Sequence, residues 1–111
     1  MPCDQVIEIK LGKLHLGTLE AALKRLGWKV EAMRDRLYFT TAAGVRAEYH
    51  ADGRLVSSGA SRSELAAIEK AMKPAFTREV VAASARRQGF RVEFDKRNPA
   101  IMRITTDGRT L

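Results

Sequence analysis

The chain has 111 residues, of which 45% are hydrophobic and 30% are charged, and 20 basic against 13 acidic side chains give it a net charge of +7. A chain of this length and composition folds as one domain with its own core, which excludes a multidomain enzyme, collagen, a coiled coil and disorder along the whole chain. No apolar stretch is long enough to span a membrane and no secretory signal is evident, so we expect a cytoplasmic protein that makes no membrane contact.

Residues that bind metals or form disulfides are scarce. Cys3 is the only cysteine and His15 and His50 are the only histidines, so we expect no disulfide within the chain, no metal site and no cofactor. Asn and Gln are also rare and Arg outnumbers Lys, a profile that thermophilic proteins share with proteins from high-GC genomes.

The N-terminal part of the sequence predicts a strand followed by a helix. Apolar residues alternate with charged ones over residues 7–11, which is typical of a half-buried strand. From residue 16 to residue 26 leucines recur at steps of three and four, which predicts an amphipathic helix. We expect Thr18 to cap this helix and Gly27 to end it.

A four-strand antiparallel meander is predicted next, because period-two alternation returns at Trp28. The expected strands are residues 28–33, 37–41 and 45–50, followed by a short strand that begins at Leu55. The strongest hairpin signal is Asp52-Gly53, since both residue types tolerate a positive φ.

The second half of the chain predicts two helices and a closing hairpin. Ser61 and Glu64 form a capping-box pattern, Pro74 is expected to interrupt the helix that follows, and Gly89 is expected to end a second helix. The expected apolar stripes are Leu65, Ile68 and Met72 in the first helix and Phe76, Val80 and Ala83 in the second. Alternation over 90–94 and 102–105 predicts the hairpin.

Together these elements predict an α+β domain. Its sheet is largely antiparallel, its order is strand, helix, four-strand meander, helix, helix and hairpin, and its helices lie on one face. We expect one core that contains Leu19, Leu23, Leu26, Phe39, Val45, Ile68, Val80, Phe90, Val92 and Ile104. We expect the sheet's other face to be solvated and to present Lys29, Glu31, Tyr38, Thr40, Arg46, Glu48, Arg91, Glu93 and Arg103.

Three stretches of the sequence resemble one known family: the opening strand, the helix end at 22–28, and the passage 80–92 with the hairpin after it. This is the small uncharacterised protein family encoded in cyanobacterial and plastid genomes and found also in bacteria and archaea. The resemblance implies no catalytic activity, since none is established for its members. Because some members are encoded near AAA-type ATPases, it implies such an ATPase as a protein partner.

Basic residues are concentrated in the last quarter of the chain. If the last strands lie beside the last helix, these side chains form one patch that can contact the phosphates of RNA or DNA. The patch would contain Arg86, Arg87, Arg91, Lys96, Arg97 and Arg103. Two alternatives remain open: a basic surface that serves only solubility, and a protein partner, which the mixed charges of the sheet would suit. An edge strand that pairs with its copy would give a homodimer.

Catalysis by His50 is the alternative function. On a strand Glu48 and His50 share a face, so the carboxylate can orient the imidazole as a general base, and Asp52 is also close in sequence. The local pattern lacks a nucleophile, so we favour a non-catalytic binding or adaptor module in a protein or nucleoprotein assembly over a small enzyme. The polar loop 57–63 opens a helix but lacks the Gly-Lys-Ser/Thr of a nucleotide-binding loop, so we expect an ordinary capped loop.

Overall fold

The computed structural model describes residues 6–106 and the backbone of residues 109–110. Over this part of the chain two helices pack against a five-stranded antiparallel sheet, and a smaller sheet follows, which confirms the predicted α+β class. The elements are β1 (Ile7–Lys10), α1 (Leu16–Arg25), β2 (Lys29–Ala32), β3 (Arg36–Thr40), β4 (Arg46–His50), β5 (Arg54–Ser57), α2 (Arg62–Arg87), β6 (Arg91–Phe94), β7 (Met102–Thr106) and β8 (Arg109–Thr110).

The five-stranded sheet has the strand order β1-β5-β4-β3-β2. Its strands β2 to β5 are the predicted meander, and β1 closes the sheet by pairing antiparallel with β5, with Ile9 opposite Leu55. Because successive strand residues point to opposite faces, Leu37 and Phe39 of β3 are buried under the helices while Tyr38 between them is exposed. One face of the sheet is therefore apolar and covered, and the other is polar and open.

The core lies between the apolar face of this sheet and the two helices. Its largest fully buried side chains are Leu19, Leu23, Leu37, Tyr49, Leu55, Leu65 and Met72. The Tyr49 hydroxyl donates to the carbonyl of Gly12 at 2.6 Å and accepts from the N–H of Leu14 at 2.8 Å, so it anchors the loop between β1 and α1. Burial also raises the pKa of Tyr49. Beside this loop, a Cβ on Gly53 would lie 2.8 Å from the carbonyl carbon of Gly12, so glycine is required there.

Helix α1 begins one turn earlier than its predicted cap. His15 is the N-cap residue, and its Nδ1 accepts from the N–H of Thr18 at 3.2 Å, so the prediction that Thr18 caps the helix is wrong. A histidine ring nitrogen replaces the usual hydroxyl or carboxylate acceptor, which is why the pattern misses it. Gly27 follows the helix with a φ of 87°, and its predicted role as the helix stop is confirmed.

Helix α2 is a single helix of 26 residues, so the predicted break at Pro74 is wrong. Pro74 lies on the exposed side, where water can bind the Lys70 carbonyl that has lost its usual donor. The buried stripe continues through the proline, because Met72 before it and Ala75 after it are both buried. Burial of one uninterrupted stripe outweighs the local cost of proline, which is about 3 kcal/mol.

The second half of α2 and the strands after it extend beyond the five-stranded sheet. We call residues 6–75 the main unit and residues 76–106 the distal arm. The arm's strands β6, β7 and β8 form a separate sheet in that order, and the molecule measures 62 × 27 × 19 Å. At 1.5 Å per residue α2 is about 39 Å long, whereas α1 is about 15 Å long. The second half of α2 therefore extends past the end of α1 and supports the small sheet of the arm.

This division corrects the prediction of one core and one sheet. Leu19, Leu23, Phe39 and Ile68 are in the buried cluster, and Leu26 and Val45 pack against it. The other four predicted members, Val80, Phe90, Val92 and Ile104, lie in the arm and outside that cluster. Likewise Arg91, Glu93 and Arg103 belong to the small sheet, because the hairpin pairs only with β8 and not with the meander.

Candidate functional site

The six predicted binding residues all lie on the distal arm, and we call them the basic patch. Arg86 and Arg87 are in the last turn of α2, Arg91 begins β6, Lys96 and Arg97 are in the turn between β6 and β7, and Arg103 is on β7. All six are exposed. From Arg91 to the turn the hairpin extends roughly 16 Å at the usual rise of a strand, so the patch is a strip rather than a point.

None of the six basic side chains forms an ion pair with a carboxylate of the described residues. The nearest acidic neighbour by register is Glu93, which lies opposite Arg103. Between residues 86 and 106 the only acidic residues are Glu93 and Asp95, so the strip has a clear excess of positive charge.

Arg86, Arg87 and Arg91 lie where α2 ends and β6 begins. The turn after β6 returns toward α1, because Pro99 lies beside Ala22 of α1 and Ala75 of α2. The structure thus spreads the predicted residues along the arm rather than gathering them at one point.

The turn that carries Lys96 and Arg97 is organised by Asp95. The Asp95 Oδ1 accepts from the N–H of Arg97 at 2.8 Å and from the N–H of Asn98 at 3.0 Å. These two hydrogen bonds, to Asn98 and then Arg97, hold the pKa of Asp95 below its usual value of 3.8. The carboxylate is therefore committed to the turn backbone, and Lys96 and Arg97 are left free to contact another molecule.

The arm is attached to the main unit through Arg25 at the end of α1. Its Nε donates to Oε1 of Glu79 in α2 at 3.0 Å, and its Nη2 lies 3.0 Å from the same oxygen as an ion pair. Its Cζ lies 3.5 Å from the ring centroid of Phe94 in β6. The Glu79 side chain is only 7% exposed, so this ion pair lies largely inside the protein. One guanidinium thus joins α1, the second half of α2 and the hairpin.

Sequence reasoning missed Arg25 and Glu79. The predicted stripe of the second helix is wrong at Val80, which is 43% exposed, whereas Phe76 does pack against the core. The buried residues of this half of the helix are Ala75, Glu79, Ala82 and Ala85. The available signal was the helical spacing of Met72, Ala75 and Ala82, because Glu79 falls on the same face between the two alanines. A charged residue within an apolar stripe indicates a buried ion pair.

His50 and Glu48 are adjacent on the open face of the five-stranded sheet, as the alternating pattern predicts. His50 Nε2 lies 2.9 Å from Oε2 of Glu48, and Arg36 Nη1 lies 3.6 Å from the same oxygen. Asp52 does not share this site: its carboxylate binds Arg54, whose Nε donates at 2.8 Å, and this contact lowers the pKa of Asp52. Of the two predicted partners of His50, the structure brings only Glu48 to it.

The loop before α2 has its backbone donors satisfied by its own side chains. Ser57 Oγ accepts from the N–H groups of Gly59 and Ala60, and Ser61 and Glu64 form the reciprocal capping box that the sequence predicts. A glutamate at the helix start disfavours a bound anion. The predicted capped loop is confirmed.

The remaining candidates concern metals, the thiol and membranes. In the described part of the chain, no three His, Cys, Asp or Glu side chains are close enough together to hold a metal ion. Cys3 lies outside the described residues. No helix of the described residues is both long and apolar enough to cross a membrane.

Comparison with protein-family models, with curated proteins and with solved structures finds no match to this chain. The resemblance to the cyanobacterial and plastid family, and the AAA-type ATPase partner that it implies, therefore remain predictions.

Proposed function

We propose that the protein is a cytoplasmic, non-catalytic binding module of a nucleoprotein assembly, and that its basic patch contacts the phosphates of RNA or DNA. The observation that carries this proposal is that six exposed basic side chains lie on one arm and none forms an ion pair with a described carboxylate. The arm also has the greater excess of positive charge for its length, since residues 76–106 contain seven basic and three acidic residues, whereas residues 6–75 contain twelve and eight.

The aromatic residues near the basic patch indicate which part of a nucleic acid the arm can contact. The aromatic residues of the arm are all half-buried. Phe76 packs against the core of the main unit, and Phe94 lies under the Arg25 guanidinium. Bases need an exposed ring on which to stack, so the arm is suited to the sugar–phosphate backbone and not to base sequence. We expect RNA and DNA to bind alike, with an affinity that depends strongly on salt.

The test measures binding of fluorescent single-stranded RNA and duplex DNA at several salt concentrations. Each phosphate contact should contribute a slope of about 0.7 to 0.9 log units of affinity per log unit of salt. Arg86→Glu with Arg87→Glu should weaken binding and reduce the slope. The matched control, Arg62→Glu with Lys70→Glu, makes the same change in net charge on exposed residues of α2 in the main unit, and should reduce the slope far less.

Equal losses in the two double variants would contradict the proposal, because net charge alone would then explain binding. An affinity weaker than about 0.1 mM at moderate salt would also contradict it, since nonspecific attraction alone gives that value. The patch would then be assigned to a protein partner, such as the ATPase that the family resemblance implies.

The alternative function is a small enzyme in which Glu48 orients His50. The 2.9 Å contact between His50 Nε2 and Glu48 favours it, whereas the His50 side chain is only 13% exposed, which leaves little of the ring open to a substrate. The same carboxylate also contacts Arg36, which is the arrangement of a surface ion-pair cluster. We therefore expect His50→Ala to leave nucleic-acid binding and the fold unchanged. A measured turnover that this substitution abolishes would favour the enzyme.

A further inference from the structure

The open face of the five-stranded sheet contains a groove of about 640 Å³. A volume of this size is in the range of small-molecule binding sites. Its walls include Lys29, Tyr38, Arg46 and Val56, all of which point away from the helices. This groove lies on the main unit and contains no residue of the basic patch.

Cross-strand register arranges the charged side chains of this face in rows. In the first row His50 is opposite Arg36, and in the second row Glu48 is opposite Tyr38. These two rows compensate each other, because Glu48 contacts both His50 and Arg36. At the β5 edge, Arg54 pairs with Asp52 and lies 3.9 Å from Glu8.

The third row is different, because its positive charges have no such partner. Lys29 is opposite Thr40, and Thr40 is opposite Arg46, so the three residues lie side by side on β2, β3 and β4. Neither Lys29 nor Arg46 forms an ion pair with a carboxylate in the described ranges 6–106 and 109–110. Adjacent strands are about 4.8 Å apart, and Lys29 and Arg46 are separated by two such steps, so their Cα atoms are about 10 Å apart. Both side chains are long enough to converge above the Thr40 hydroxyl.

This row therefore presents two cations and a hydroxyl at one place, which is the chemistry of a phosphate site. Beside it, Tyr38 of the second row is 36% exposed and offers an aromatic ring, with Glu31 as its cross-strand neighbour. A ring can stack on Tyr38 while an exocyclic amino group donates to the Glu31 carboxylate.

We propose that this groove binds a free mononucleotide, with the phosphate held by Lys29, Thr40 and Arg46 and the base stacked on Tyr38. The positive charges of Lys29 and Arg46 favour a ligand with a phosphate group. The exposed ring of Tyr38 favours a ligand that also has a planar aromatic part, and the groove is large enough to hold both. The site is independent of the basic patch, so either one can exist without the other.

The test is a titration of the full chain with AMP at low salt, followed by the backbone amide signals in nitrogen-15 NMR spectra. The amides of residues 29, 40 and 46 should shift and saturate. Lys29→Ala with Arg46→Ala should weaken AMP binding by about tenfold or more, because two charge-assisted contacts are lost. Arg86→Ala with Arg87→Ala is the matched control: it removes the same charge from the arm and should leave AMP affinity unchanged.

The role of the ring is tested with ribose 5-phosphate, which keeps the phosphate and lacks the base. Tyr38→Ala should weaken AMP binding by about threefold to tenfold and leave ribose 5-phosphate binding unchanged. Lys29, Tyr38 and Arg46 are on the open face, so their variants should keep the thermal midpoint of the wild type. The proposal is overturned if AMP shifts only amides of the arm, if the Lys29 and Arg46 double variant binds like the wild type, or if no saturable shift appears by about 10 mM AMP.

Discussion

The main unit and the distal arm bury their apolar side chains to very different degrees. In the main unit, large residues such as Leu23 and Tyr49 are completely buried between sheet and helices. In the arm the large residues of the small sheet are only half-buried, and the buried residues of α2 facing them are Ala82, Ala85 and the paired Glu79. The arm therefore has no closed core of its own, and its position depends on the helix that it shares with the main unit and on the Arg25 contacts.

The arm, which buries less apolar surface than the main unit, carries the greater excess of positive charge for its length. Residues 6–75 contain twelve basic and eight acidic residues, whereas the shorter arm, residues 76–106, contains seven and three. Of the arm's three carboxylates, Glu79 pairs with Arg25 and Asp95 binds the turn backbone, so neither forms an ion pair with the basic patch. A region that contributes little apolar burial and carries uncompensated charge is better suited to binding than to stabilising the fold. Stability and the proposed nucleic-acid binding are thus located in different parts of one chain.

The largest effect that separates the two regions is expected from truncation of a core leucine. Leu23→Ala should lower the free energy of unfolding by about 2 to 5 kcal/mol, because Leu23 is completely buried and the cavity cannot collapse fully. The matched change in the arm, Val92→Ala, should cost about 1 kcal/mol or less, since Val92 is only half-buried. Urea denaturation of both variants measures the difference. Equal losses would show that the arm has a core as tight as that of the main unit.

The fold of the main unit was predictable because its signals are local. Alternation gave the strands of the meander, a glycine gave the end of α1, and the serine–glutamate pair at Ser61 gave the start of α2. Each of these features depends on residues that are close in sequence, and the structure agrees with local preference at each of them. The pairing of β1 with β5 follows once the meander is in place, since β1 is then the strand that closes the edge.

The arm was less predictable, because its structure depends on contacts between distant residues. Pro74 is a local stop signal, and burial along the whole of α2 overrides it. From the sequence alone Glu79 is expected to face solvent. In the structure it is buried because it pairs with Arg25, which is 54 positions earlier in the chain. The concentration of basic residues in the last quarter of the chain is visible in the sequence, and their binding role stays a prediction. The cation row of Lys29 and Arg46, in contrast, required the strand register to be known.

An intermediate effect is expected from breaking the contact that joins the two regions. Glu79→Ala removes the acceptor of Arg25 and should cost about 1 to 2 kcal/mol, because Glu79 is buried whereas Arg25 can regain part of its hydration. Hydrogen exchange in β6 and β7 should become faster than in the five-stranded sheet, since the hairpin loses its attachment. The matched control is Glu69→Ala, which breaks a surface pair with Lys73 and should cost about 0.3 to 0.5 kcal/mol.

If Glu79→Ala and Glu69→Ala cost the same, and exchange in β6 is unchanged, Arg25 does not hold the arm and the half-buried face of the small sheet must do so. A double-mutant cycle with Arg25→Ala isolates the pair itself, because the coupling should disappear once either partner is absent.

The smallest effect is expected in the turn between β6 and β7, where the Asp95 carboxylate accepts hydrogen bonds from two backbone N–H groups. These hydrogen bonds lower the pKa of Asp95 in the folded protein, so the turn is stabilised above the usual value of 3.8 and loses this stabilisation as the pH falls through the lower, folded value. The amide signals of Arg97 and Asn98 should therefore shift in acid with a midpoint below 3.8. Asp95→Asn, which keeps an acceptor oxygen and does not titrate, should abolish the transition and keep the turn. A midpoint at or above 3.8 would mean that Asp95 does not organise the turn, and that Lys96 and Arg97 are not presented to a ligand in a fixed geometry.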